Sequence, residues 1–176
     1  MTRTKLDQSS LEKYREVLPG FDLLGEIGRG GMGVVLLAIQ KDLGRQVAVK
    51  LLTGQDLNDR DRQRLKREAG IGASLSHPNL VKVLSASLTT NVPYLVLEFV
   101  DGPDLAECLR TGIEVEPLPL ARGVADALAY LHGQGMLHRD IKPSNVLVAA
   151  GGRCSRISAW CGPPPWRRPR SRGPEA

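Results

Sequence analysis

The sequence has few cysteines and no long apolar run. Cys108, Cys154 and Cys161 are scattered and odd in number, so neither a disulfide framework nor the paired spacing of a zinc site is indicated. No uninterrupted apolar stretch reaches the length needed to span a bilayer. The first 17 residues are polar and carry no apolar signal core. We therefore expect no membrane segment in this chain and a cytoplasmic location.

A single sign of charge dominates only the last part of the chain, although the whole chain has a net charge of +5. Residues 1–150 contain 18 Lys and Arg and 18 Asp and Glu, so they are formally neutral. Residues 151–176 contain six Arg and one acidic residue, Glu175. Because the basic excess lies outside the neutral body, we expect no nucleic-acid partner for that body.

Hydrophobic patterning predicts several strands. Residues 11–18, LEKYREVL, predict a lead-in helix that Pro19 and Gly20 end. The β-branched runs VVLLAI and QVAVKLL predict two strands, joined by KDLGR as a hairpin. LVKVLSASL and PYLVLEFV predict two more.

Two longer helices are predicted around and after these strands. Asp59 is a candidate cap for a helix that runs to about residue 75, softened by two internal glycines. A second helix is predicted over about residues 118–132, where apolar residues recur on one face: Leu120, Val124, Leu128 and Leu131. Groups of strands and helices in this order predict an α+β fold, not a repeated βαβ plan.

A glycine-rich segment precedes the VVLLAI strand. Residues 28–35 read G-R-G-G-M-G-V-V, a G-x-G-x-x-G-x-V pattern. Glycines let the backbone approach phosphates with free N–H donors. In dinucleotide-binding folds such a loop opens a helix, whereas a strand follows here, so this loop would cover a nucleotide. On the loop alone, an ordinary glycine-rich hairpin remains the alternative.

Two charged residues extend the phosphate-binding hypothesis. Lys50 ends the apolar V-A-V-K run of residues 47–50, so its ammonium could reach phosphate oxygens. Glu68, in KREAG on the predicted soft helix, is the candidate carboxylate to hold it. The simpler alternatives are a strand lysine that points to water and one more charge on a solvated helix face.

The segment from His138 to Asn145 reads H-R-D-I-K-P-S-N and is followed by the apolar VLV. With the glycine loop, V-A-V-K, a helix glutamate and H-P-N-L-V at residues 77–81, it resembles the protein kinase family over about residues 21–148. Lys142, two places after Asp140, is similar to the serine/threonine branch. The whole resembles most the bacterial members with eukaryotic-type domains. This implies a small β-rich lobe with one main helix and the beginning of a helical large lobe.

The resemblance implies catalytic roles for Asp140, Lys142 and Lys50, and supporting roles for Glu68 and Asn145. Asp140 would accept the proton of the substrate hydroxyl as it attacks the γ-phosphate, and Lys142 would steady the γ-phosphate charge. Lys50 would bind the α- and β-phosphates and be held by Glu68. Asn145 would be a ligand of Mg²⁺. The implied activity is phosphoryl transfer from Mg-ATP to a serine or threonine of a protein substrate, with the oligomeric state left open.

The resemblance also implies an adenine site. Val35 and Ala48 would pack on the purine from one side and Leu147 would form its floor, with Leu97 as gatekeeper. Glu98 and Val100 would offer backbone hydrogen bonds, and Asp104 could reach the ribose. The glycines of the loop would shape the lid over ATP. The rest of the expected ATP-binding set is Ile27, Gly28, Arg29, Gly30, Gly31, Met32, Gly33 and Val34.

The sequence departs from the family pattern after the catalytic loop. The lead-in R-I-S is followed by Ala159, Trp160 and Cys161, where the family has D-F-G with its metal-binding aspartate. We predict a lead-in at residues 1–20, a partial kinase domain at 21–150 and a disordered Pro/Arg-rich tail at 151–176. With suitable codons, a one-base shift recovers D-F-G, so the tail could be translated out of frame.

Three functional hypotheses follow from this departure. The chain is expected to be a truncated serine/threonine kinase with weak or no activity. The alternatives are a nucleotide-binding fragment without catalysis and a frameshifted gene remnant. In a truncated chain, the helix over residues 118–132 is expected to leave Leu120, Leu128 and Leu131 without cover.

Overall fold

The structure is a computed structural model that describes residues 8–30, 33–52, 63, 69–70, 72–88, 92–149 and 155–157. Its larger part is built from strands near the N-terminus and helices after them. The elements are α1 Gln8–Val17, β1 Phe21–Gly30, β2 Gly33–Gln40, β3 Arg45–Leu51, β4 Val83–Ser87, β5 Tyr94–Glu98, α2 Leu105–Thr111, α3 Pro117–Gly133, β6 Val146–Val148 and β7 Ser155–Ile157.

Strands β1 to β5 form one antiparallel sheet in the order β1-β2-β3-β5-β4. The predicted hairpin is confirmed, because β2 and β3 pair in register from Val34 opposite Leu51 to Gln40 opposite Arg45. The strands predicted at LVKVLSASL and PYLVLEFV are confirmed as β4 and β5. The α+β prediction is therefore also confirmed.

The two faces of this sheet have different neighbours because side chains alternate along each strand. On β3, Val47, Val49 and Leu51 belong to a core cluster that also contains Tyr14 of α1 and Leu18, which follows that helix. Ala48, between them, belongs to a second cluster on the other face, together with buried residues of β4 and β5. Lead-in helix α1 thus covers one face of the sheet, and a cleft lies against the other face.

Helix α3 confirms the helix predicted over about residues 118–132, but the exposure prediction for it was wrong. Leu131 is fully buried, in a cluster with Leu75, Leu80 and Ile157. Leu120 and Leu128 are half-buried against the same cluster. The most buried positions are Gly123, Ala127 and Leu131, so the buried stripe is rotated by about one residue from the predicted face.

The short strands β6 and β7 pair with each other as an antiparallel hairpin. Strand β7 lies beyond residue 150, where the predicted kinase-like part ends, so three residues of the predicted tail are in regular structure. Ile157 also bonds to the loop before β4, since its N–H donates to Asn79 O and its carbonyl accepts from Val81 N–H. The hairpin is thereby attached to the five-stranded sheet.

The helix predicted from Asp59 to about residue 75 is described only in part. Residues 63, 69–70 and 72–74 are helical, and Asp59 lies outside the described residues. Within the part of the chain that the structure describes, none of the helices has the length and hydropathy of a membrane span.

Candidate active site

A cleft of about 200 Å³ lies between the sheet and the β6–β7 hairpin. It brings together eleven of the residues predicted to bind ATP or metal, and three that were not predicted. The predicted ones are Ile27, Gly28, Val35, Ala48, Lys50, Leu97, Glu98, Val100, Asp104, Asn145 and Leu147; the others are Val81, Phe99 and Ser144.

Apolar side chains line two sides of the cleft. Ala48 and Leu97 are opposite each other on β3 and β5 and are largely buried. Val35 and Leu147 are partly buried and pack against the same cluster. Side-chain alternation explains why these residues and not their neighbours face the cleft. The lining provides a slot with two apolar walls, which suits a flat aromatic ring.

The segment after β5 runs close to the backbone of β6. A Cβ built on Gly102 would lie 1.9 Å from the carbonyl oxygen of Val148, so only glycine fits there. The Val148 N–H donates to the Pro103 carbonyl over 2.8 Å, and Asp104 forms an isolated bridge with Leu147. This close contact joins the predicted hinge to the predicted floor of the adenine site.

Asp104 has a structural role besides lining the cleft. It is the N-cap of α2, and its Oδ1 accepts a hydrogen bond of 2.8 Å from the Glu107 N–H. An N-cap carboxylate satisfies a helix N–H that would otherwise lack a partner in the helix. One carboxylate oxygen is thus committed to the helix, while the residue still borders the cleft.

Lys50 lies at the inner end of the cleft on β3. Burial lowers the pKa of Lys50, because a charged ammonium loses hydration there. The negative charge of Asp140 acts in the opposite direction and favours the charged form, while the positive charge of Lys142 adds to the lowering. A bound anion would therefore stabilise the Lys50 ammonium by replacing lost hydration.

Asp140 is held by two side chains of its own loop. Lys142 Nζ lies 3.0 Å from Asp140 Oδ2, and the Asn145 amide donates to Oδ2 over 2.9 Å and to the Asp140 carbonyl over 2.8 Å. The hydrogen bond from Lys142 is the main reason that the pKa of Asp140 is lowered, with Asn145 adding to it and partial burial opposing it. Asp140 is therefore a fixed, ionised carboxylate near Lys50.

The backbone around Asp140 is set by its neighbours. His138 is buried at 2% exposure, and its Nδ1 accepts a long hydrogen bond from the Asp140 N–H at 3.4 Å. Arg139 has a left-handed backbone with φ of 62°. A non-glycine residue rarely adopts this conformation, and such residues cluster at functional sites. The turn at Arg139 directs the Asp140 side chain toward Lys142 and Asn145.

Several predicted site residues do not line the cleft. Val34 is buried in the core on the opposite face of the sheet, because it alternates with Val35. Arg29 is exposed and hydrogen-bonds Glu26 through Nε over 2.9 Å. Lys142 is not among the lining residues, but it forms an ion pair with Asp140 and its charge acts on Lys50. Of the other predicted positions, Asp140, Gly30 and Gly33 lie outside the lining, and Gly31, Met32 and Glu68 lie outside the described residues.

Two oxygen atoms in the catalytic loop could serve a hard cation. Among the residues that the structure describes, no group of three or more His, Cys, Asp and Glu side chains is arranged to bind a metal. The hydrogen bonds of Asp140 and Asn145 use Asp140 Oδ2 and Asn145 Nδ2, which leaves Oδ1 of both without a hydrogen bond from described residues. Mg²⁺ takes one or two protein oxygens and completes its shell with phosphates and water, so this donor pair fits it.

The three unpredicted lining residues have modest sequence signals. Val81 ends the H-P-N-L-V motif, Phe99 lies between the two hinge residues, and Ser144 is the variable position of H-R-D-x-K-P-x-N. Motif matching singles out fixed positions and passes over variable ones, although the backbone carries both kinds into the cleft.

Comparison with known proteins identifies the family of the chain. The sequence pattern of the family described as protein kinase domain matches residues 21–158. A probable serine/threonine-protein kinase of Streptomyces coelicolor is 40% identical over 151 residues, which are 81% of this chain and 22% of that protein. The serine/threonine-protein kinase PknJ of Mycobacterium tuberculosis is 40% identical over 141 residues, 77% of this chain and 24% of that kinase.

Among solved structures, the PknI kinase domain of Mycobacterium tuberculosis is similar, with a TM-score of 0.68 and 28% identity; the match covers 80% of this chain and 57% of that chain. The present chain spans less than a quarter of the length of the two curated relatives. The family pattern and these relatives show that the chain belongs to the protein kinase family, in its serine/threonine branch.

Proposed function

We propose that the chain binds ATP in this cleft and transfers the γ-phosphate to a serine or threonine hydroxyl of a protein. One observation carries the proposal: a half-buried lysine and an apolar slot share one cleft, and Asn145 in its lining is hydrogen-bonded to the fixed carboxylate of Asp140. Phosphoryl transfer needs positioning and neutralisation of charge more than covalent chemistry, and these groups supply both.

Each side of the cleft has its own task in this proposal. The adenine lies between Val35 and Leu147 and hydrogen-bonds the backbone of the segment from Glu98 to Val100. The phosphates extend toward Lys50, whose ammonium regains favourable charge interactions there. The apolar walls keep water from the ring, and Asp104 borders the ribose.

The catalytic loop acts on the substrate hydroxyl. The Asp140 carboxylate accepts its proton, and Lys142 holds that carboxylate in place and adds positive charge beside the transferring phosphate. Asn145 would hold Mg²⁺ through its Oδ1 atom, which leaves Oδ1 of Asp140 to accept the proton. Mg²⁺ supplies charge neutralisation on the phosphates when bound.

A second candidate function is nucleotide binding without phosphoryl transfer. It is favoured by one observation in the sequence: Ala159, Trp160 and Cys161 stand where the family has D-F-G with its metal-binding aspartate. The cleft could then hold ATP without orienting its γ-phosphate.

Two variants separate these functions. We expect Lys50→Met to weaken ATP binding, and Asp140→Asn to keep ATP binding while it abolishes transfer of labelled γ-phosphate to a serine-containing substrate protein. Lys13→Met, on the exposed side of α1, serves as the control. If the wild type transfers phosphate and Asp140→Asn keeps this activity, the catalytic assignment is contradicted. Binding by the wild type without any transfer would favour the second function.

A further inference from the structure

The end of β5 is tied to β7 by an ion pair. Arg156 Nη1 lies 2.7 Å from Glu98 Oε2, and the side chains are only 32% and 27% exposed. The other carboxylate oxygen of Glu98 accepts a hydrogen bond of 2.9 Å from the Lys82 N–H. Both oxygens of Glu98 are therefore engaged, so its side chain is fixed in one orientation.

Partial burial distinguishes this pair from an ordinary surface pair. On α3, Arg122 and Asp126 are 3.8 Å apart and their side chains are 85% and 56% exposed. Such exposed pairs contribute little, because water and salt screen them. The shorter and more shielded pair at Glu98 is screened less, so it can hold two segments at a defined distance.

Arg156 also lies directly beside the floor of the cleft. Leu147 on β6 is its cross-strand partner, and directly opposite residues of an antiparallel pair project from the same face of the hairpin. Leu147 and Glu98 both line the cleft. Arg156 thus links the strand that carries the floor to the strand that enters the hinge.

We propose that Arg156 is a positioning residue for the nucleotide cleft: its ion pair with Glu98 sets the distance between the end of β5 and the β6–β7 hairpin, and thereby the affinity for nucleotide. The proposal rests on the function proposed above, because it concerns the same cleft. In this proposal, Arg156 does not contact the reacting atoms. The backbone bonds from Val81 to Ile157 and from Val148 to Pro103 run along the same seam.

The first test follows amide hydrogen exchange in the nucleotide-free protein. We expect Arg156→Gln to speed exchange of the Val148 and Glu98 N–H groups several-fold, because the seam opens more often. Arg122→Gln, the same change in the exposed pair of α3, is expected to leave these amides unaltered. Unchanged exchange at both amides in Arg156→Gln would overturn the proposal.

The second test measures dissociation constants for ADP, which needs no transfer step. We expect Arg156→Gln and Glu98→Gln each to weaken binding by about 2- to 30-fold, the range of such indirect couplings. The double variant should bind ADP with about the affinity of the single variant that binds it less tightly, since both changes break the same interaction. Arg156→Lys should recover part of the affinity, and 0.5 M salt should narrow the gap to wild type.

The outcomes separate this proposal from the proposed function. If the wild type binds no ADP or ATP, the proposed function fails, and the exchange measurement alone decides whether Arg156 joins the hairpin to the hinge. If the wild type binds ADP and the variants bind it equally well, the positioning role is overturned while the nucleotide site stands. Additive effects of the two single changes would also overturn it, because they would show two independent contributions.

Discussion

Replacing Gly102 by alanine should separate the hinge from β6. The added Cβ would lie 1.9 Å from the carbonyl oxygen of Val148, 3.0 Å from its carbonyl carbon and 3.2 Å from the Cα of Ala149. All three atoms are backbone, so no side-chain rotation can relieve the overlap. Because a carbon and a carbonyl oxygen normally approach to about 3.3 Å, the two segments must move apart by about 1.4 Å.

The cost of this movement can be compared with a control. Gly112, at the end of α2, has φ of 72°, and a Cβ there meets nothing within 4 Å. Both substitutions carry a cost for a backbone with positive φ, about 1–2 kcal/mol. Gly102→Ala adds the lost hydrogen bond from Val148 to Pro103 and the strain of displaced backbone, together roughly 2–4 kcal/mol.

Thermal unfolding of the two variants measures the difference. For a chain of this size, each kcal/mol lowers the melting temperature by about 2–4 °C, so Gly102→Ala should melt roughly 4–16 °C below Gly112→Ala. Because the hinge borders the proposed adenine site, ATP affinity should fall in Gly102→Ala and stay unchanged in Gly112→Ala. Equal melting temperatures with equal affinities would refute the close contact between hinge and β6.

Three further predictions concern packing, capping and charge. Leu131→Ala should lower the free energy of unfolding by about 3–5 kcal/mol in denaturant titrations, whereas Leu118→Ala, at an 82% exposed site of the same helix, should change it by less than about 0.5 kcal/mol; equal effects would contradict the packing of α3. Asp104→Ala should cost about 1 kcal/mol by removing the α2 cap, and Asp104→Asn much less, in the same titrations. The folded pKa of Asp140 is lowered, so its contribution to stability is present above the ordinary value of about 3.9 and is lost as pH falls through the folded pKa. Lys142→Met should move the Asp140 pKa up toward that value in an NMR titration of the carboxyl carbon, and an unmoved titration would show that the ion pair is not its cause.

Sequence patterning predicts the sheet well because its strands obey a simple rule. In β2 and β3, β-branched and apolar residues follow one another with turn residues between them, and the observed hairpin has the predicted bounds within a few residues. The same patterning misplaces the buried stripe of α3. Two of its three buried members are Gly123 and Ala127, and a small residue that allows close packing gives little hydrophobic signal.

The proximity of the residues assigned to phosphate and metal could be predicted, because the motifs fix their types and spacing. Lys50 and Asn145 line one cleft and Asn145 is hydrogen-bonded to Asp140, while their roles stay predictions. Contacts between distant segments could not be predicted in this way. Arg156 reaches Glu98 only because β6 and β7 pair, and nothing in the local sequence specifies a contact across 58 positions. Val34 shows the opposite error, since a motif includes it although strand alternation turns it away from the cleft.

The β6–β7 hairpin has a consequence for the order of folding. Strands β1, β2 and β3 pair with their neighbours in sequence, whereas Ile157 bonds to Asn79 and Val81, and Arg156 to Glu98. Closing a long loop costs more chain entropy than closing a short one, so contacts between distant segments form late. Substitutions in the β2–β3 hairpin should slow folding, while those at Ile157 should mainly speed unfolding. The newly made chain is therefore expected to form the β1–β3 part of its sheet before the proposed nucleotide site, so that ATP would stabilise only a late product of folding and not its first steps.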